Sequence, residues 1–142
     1  MSRKNNFVLG EPEILGSQIR ELKQGETLTG VFLGFQMVKS KNIKNPSPLL
    51  HFLDVEIDKD KNNLSLLNSV SKIWGRTGIM RDFIAKNVQV GDVISITLSD
   101  IVQKGKRTFY NYYNIRYKCD IDKSVYQPYS IGLETDLSKL NR

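Results

Sequence analysis

Cysteine occurs once in this chain, at Cys119, and histidine once, at His51. One cysteine excludes an intrachain disulfide framework and a cysteine-based zinc site. One histidine excludes a histidine-rich metal centre. Long apolar runs are lacking as well. No stretch approaches the ~18 residues of a membrane helix, and residues 1–10 have no signal-peptide core, so a cytoplasmic location is expected. The glycines match neither a phosphate-cradling loop nor a dinucleotide fingerprint, and no cofactor is expected. What is present is a soluble globular composition in 142 residues, 39% hydrophobic and 25% charged, a size for one domain with its own core. Lysine and arginine number 21 against 15 acids, a net charge of +6. Such an excess permits a polyanionic partner without requiring one.

The hydrophobic pattern is that of strands. Residues 27–38 are β-branched and aromatic, with Gly30 and Gly34 inside; glycine within a strand marks a bulge or bend of the kind a small barrel needs. Residues 49–57 alternate, with Leu53, Val55 and Ile57 on one side and Phe52, Asp54 and Glu56 on the other, which is a half-buried strand. Residues 64–69 are open between strand and short helix, while 70–74 read as strand. A one-faced helix is predicted over 79–86 with Thr77 as its N-cap. Strands follow at 93–98 and 108–118, joined by a basic glycine-centred tip at 103–107. Residues 17–23 read as a short helix or turn, and 119–142 have no clear period.

Three strands, one short helix and a two-strand hairpin exclude a helix bundle and a doubly wound sheet. They match an all-β protein, a five-stranded Greek-key barrel of the OB-fold type with one short helix. The expected organisation is a lead-in over 1–25, the barrel over 26–118 and a C-terminal extension over 119–142.

The charge excess lies in the barrel, where 14 basic residues face 8 acidic ones. It gathers in two loops: Lys39, Lys41 and Lys44 between the first two strands, and Lys104, Lys106 and Arg107 between the last two. In this architecture those loops border the ligand groove. Aromatic residues supply a second signal. In the last strand Phe109, Tyr113 and Ile115 are expected to point inward, and Tyr110, Tyr112, Asn114, Arg116 and Lys118 outward. Rings that stack on bases beside cations that meet phosphates suit a nucleic acid strand. Lys72 and Trp74 share a parity on the third strand. Phe32 is expected to face out on the first, Phe52 is a further stacking candidate, and Phe35 depends on whether Gly34 forms a bulge.

An enzyme reading is weaker. Asp54, Glu56 and Asp58 share a strand face and could hold a divalent cation, but the same spacing describes a solvated strand face and no second acidic cluster accompanies it. His51 has no triad partners by pattern. No catalytic residue and no metal ligand are therefore assigned.

Residues 30–34 (GVFLG), 72–75 (KIWG), 88–94 (VQVGDVI) and the tyrosine-rich last strand resemble OB-fold single-stranded DNA-binding proteins, and most of all the small versions carried by phages and plasmids. The resemblance spans about residues 26–118. It implies a non-catalytic protein that coats exposed single strands in replication, recombination or DNA transfer, in a bacterial cytoplasm or an infected host, with homo-oligomers and replication or transfer proteins as further partners. Housekeeping members end in an acidic tail that recruits partner enzymes. Residues 136–142 here end basic, so recruitment by that route is not expected, and the extension is expected to pack on the barrel or on another protein. Two alternatives remain open: an OB-fold accessory subunit docking a helicase, polymerase or relaxase, and an RNA-binding OB module.

Overall fold

The computed structural model describes residues 19–39 and 45–140. Its strands are β1 (Ile19–Arg20), β2 (Thr27–Val38), β3 (Ser47–Asp58), β4 (Asn63–Trp74), β5 (Val93–Lys104) and β6 (Arg107–Tyr117), with helix α1 (Thr77–Ala85) between β4 and β5 and a short α2 (Lys123–Tyr126) after β6. The protein is all-β: the strands form one curled half-barrel sheet in the order β1-β4-β3-β2-β5-β6. Three consecutive hairpin strands followed by a fourth that returns beside the first is the Greek key, here β2, β3 and β4 with β5 against β2. The sheet has six strands where five were expected. Residues 19–20, expected in a helix or turn, instead pair in parallel with Lys72–Ile73, because β4 otherwise offers an unpaired edge.

Two irregularities decide which residues reach the core. In β2 the register shifts between Phe32 and Gly34, so Phe32 and Phe35 share one face although three positions separate them. Phe32 and Phe52 are fully buried, which corrects the expectation that they face solvent. They lie opposite each other in the β2–β3 ladder, tilted against one another at 5.6 Å, and both rings meet Phe83 of α1 edge-to-face at 5.6 and 6.3 Å. Such contacts contribute about 0.5–1.5 kcal/mol per pair beyond area burial. In β4 the register shifts opposite Leu53 and Val55, and Asn68 takes a left-handed φ of 56°. This second bulge breaks the alternation over 64–69 that would otherwise mark them as strand.

α1 covers one face through Ile79, Met80 and Phe83. Its N-cap is Arg76, with no side-chain capping bond, and Thr77 is its first helical residue rather than its cap. The C-terminal extension is built into the fold. Leu137 joins the core under α1, while Tyr126 packs with Val31, Leu33, Leu53 and Val70 on the other face of the sheet. Phe35 and Glu134 exchange backbone hydrogen bonds at 2.9 Å. Gly34 makes that approach feasible. Its φ is +124°, and a Cβ there would lie 2.6 Å from the Glu134 carbonyl oxygen. Local capping steers the extension, with the Asp122 carboxylate accepting from Ser124 N–H and Asp136 from Ser138 N–H. The Ser124 N–H on Asp122, and the Ser138 hydroxyl together with its N–H on Asp136, hold both carboxyls below the usual carboxylate range.

Candidate nucleic-acid interface

The two ends of the curled sheet approach each other, and the seam between them gathers arginine and aromatic side chains. Arg20 from β1, Glu21 and Leu22 just after it, Ile73 and Trp74 from β4, Arg76 before α1, and Tyr110 and Tyr112 from β6 line a narrow cleft there. A wider cavity of about 520 Å3 adjoins it, lined by Arg76, Arg81, Arg107, Phe109 and Tyr110 with Thr77 and Gly78 at the start of α1. Arg76 and Tyr110 border both, so the two make one groove.

The groove's electrostatics follow from what its cations lack. Among the described residues, none of Arg20, Arg76, Arg81 and Arg107 forms an ion pair; the salt bridges are Arg116–Asp92 and Lys139–Glu134. Arg76 lies over the Tyr110 ring, its guanidinium carbon 4.2 Å from the ring centre, and the Arg107 guanidinium is 5.9 Å from the centre of Phe109. A planar guanidinium on an aromatic face extends the stacking platform and leaves its N–H groups for an anion. The first turn of α1 carries no acid, so the partial positive charge of the helix start adds to the same field. Burial pushes the Tyr112 hydroxyl's pKa up, the Arg76 charge opposing, and its ring packs against the main core. Tyr112 is thus a wall of the groove, and its accessible rings are the half-buried Tyr110 and Trp74 and the exposed Phe109.

The expected site residues divide accordingly. Trp74, Arg107, Tyr110 and Tyr112 come together in the groove. Lys104 and Lys106 are exposed beside Arg107 at the β5–β6 hairpin tip. Lys39 is exposed past the end of β2, and Lys41 and Lys44 lie outside the described residues. Lys72 is half-buried and pairs across the ladders with His51 and Ile19. Lys72 lines neither of the two cavities that make the groove. Arg116 is engaged in the fold, donating to the Lys86 carbonyl at the end of α1 and to Asp92. Lys118 is exposed just past the other end of β6, roughly 35 Å from Arg107 at ~3.3 Å per residue.

The facing expected for β6 is corrected in part. Phe109 and Tyr113, expected inside, are 42% and 62% exposed, and Tyr112, expected outside, packs on the core. Asn114 is held by a bond from its Nδ2 to Asp82 of α1 at 2.8 Å. As the sheet's edge strand under a helix, β6 has its even-numbered face covered. Arg20, Arg76 and Arg81 were not anticipated. They come from the lead-in, a turn and a helix, and only the parallel pairing of β1 and the placement of α1 bring them together.

Two acids of the β3 row are engaged in local bonds. Asp54 accepts from the Ser69 hydroxyl at 2.7 Å, and Asp58 caps its own hairpin turn through Asp60 and Lys61 N–H. His51 is buried, and its Nε2 shares a 2.8 Å hydrogen bond with Gln36 Oε1. Burial, with Lys72 nearby, lowers its pKa to about 4, which keeps the ring neutral. No helix among the described residues is long and apolar enough to cross a membrane. Comparison with protein-family models, curated proteins and solved structures finds no match.

Proposed function

We propose that this protein binds single-stranded DNA without strong sequence preference and without catalysis, protecting exposed strands in replication, recombination or transfer. The observation that carries the reading is the Arg76–Tyr110 stack at the centre of a groove lined by four arginines that form no ion pair among the described residues. A single strand has both features such a groove needs in a ligand, a regular row of phosphates and unpaired bases with open faces. Tyr110 and Trp74 stack bases, while Arg20, Arg76, Arg81 and Arg107 meet phosphates. Duplex DNA keeps its base faces stacked and offers the rings nothing.

Fluorescence anisotropy with a labelled dT oligomer, the matching RNA and a duplex, each across a salt series, tests this. Salt-sensitive binding that favours the DNA single strand supports the reading. Equal competition by RNA makes the module a general single-strand binder. No binding to any of the three at low salt overturns it.

One observation favours a second reading, docking to a protein. Phe109 and Tyr113 are exposed on one face of β6, and exposed aromatics are common in protein interfaces. An accessory subunit would use that ridge with the groove empty.

A further inference from the structure

The arginine groove does not stop at α1. Thr77 and Arg81, which line it, also border a larger cavity of about 840 Å3 on the other flank of the helix. This cavity is walled by Met37 of β2, Pro46 and Pro48 at the start of β3, Met80 and Ile84 of α1, and Leu140 of the C-terminal extension. Its chemistry differs from the groove's. Thioether and proline surfaces fit flat rings of varied shape, since methionine adapts its rotamers and its sulfur contacts aromatic edges favourably. At the rim Glu134 is paired with Lys139 at 3.2 Å, whereas Arg81, on the ridge between the two cavities, has no ion pair among the described residues.

We propose that the cavity receives one nucleobase of the strand held in the groove, unstacked from its neighbours, with Arg81 on the phosphate that leads over the ridge. A nucleobase is the occupant these observations favour because the cavity is reached along a line of cations, and only a ligand that alternates phosphates with flat rings uses both. The inference rests on the single-strand reading above and names a subsite of that interface.

The test uses short dT oligomers, each with one fluorescent 2-aminopurine, the probe moved through every position. They are titrated with the wild-type protein, with Met37→Glu and with Tyr110→Ala. Met37 is 45% exposed, so a carboxylate there stands at the cavity mouth without entering the core; Pro46→Glu, also at an exposed position, repeats the test if Met37→Glu melts early. The expected result is that binding raises emission at one probe position as that base leaves the stack. Both cavity variants lose the rise and bind about fivefold more weakly, the lower end of a single base's share. Tyr110→Ala weakens binding yet keeps the rise in the bound complex. Identical emission profiles and affinities for wild type and the cavity variants overturn the subsite while leaving the groove intact. An oligomer that binds none of the proteins overturns the single-strand reading itself.

Discussion

Two aromatic clusters of similar size sit in this molecule under opposite conditions. Phe32, Phe52 and Phe83 lie between the middle of the sheet and α1, with no exposure beyond 1%. Tyr110, Trp74 and Phe109 lie at the seam where the sheet's two ends approach, open to solvent and set among arginines. The strands explain the contrast. β2 and β3 have hydrogen-bonded neighbours on both sides and a helix above, so their large side chains have one place to go, the core. β6 is an edge strand and Trp74 ends β4, so their rings meet a gap that no strand fills. The lesson is that ring type says little here. Position in the sheet, and whether cations reach the ring, separate a packing residue from a candidate contact.

Mutation should pull the clusters apart. Phe52→Ala opens a cavity in the three-ring core and should cost about 3–5 kcal/mol of unfolding free energy, read by urea or thermal melts. Tyr110→Ala should melt close to wild type and instead weaken oligo-dT binding by about 1–3 kcal/mol. A Tyr110→Ala protein that loses its fold would place that ring with the core and erase the distinction.

pH sharpens the same contrast. His51 is neutral and buried, with a folded pKa of about 4 against 6.5 in the unfolded chain. Between those values the unfolded state binds the extra proton. Stability is therefore full above about pH 6.5 and falls as the pH drops toward 4, by about 3 kcal/mol. His51→Leu should flatten that slope. The residues that line the groove include no histidine, so binding by folded protein should change little between pH 8 and 6.5. The smallest effect expected is that of Arg76→Lys. It keeps the charge but loses the planar stack on Tyr110, and should weaken binding by about 0.5–1 kcal/mol with an unchanged salt slope.

Much of the fold was legible in residue patterns. The strand over 27–38 and the helix between the third and fourth long strands follow from periodicity, and Gly34 marks the bulge. The facing of β6 was not, because alternation divides a strand into two sides without saying which one a helix will cover. Phe32 and Phe52 show the same limit: a half-barrel buries both faces of its central strands, so apolar residues of either parity end inside. The candidate site was legible by halves. Tyr110, Trp74 and Arg107 stand in recognisable strands and a basic tip, whereas Arg20, Arg76 and Arg81 carry no local signal and converge only through tertiary structure.

The central claim is that the four arginines of the groove form a phosphate track. The most direct measurement is the salt dependence of oligo-dT affinity for the wild type and for Arg76→Ala/Arg107→Ala. Four phosphate contacts predict a slope of log affinity against log salt near −3, from ~0.7 per contact, and the double variant should fall to roughly half of that. A slope that is the same in both proteins, or near zero in the wild type, would contradict the account.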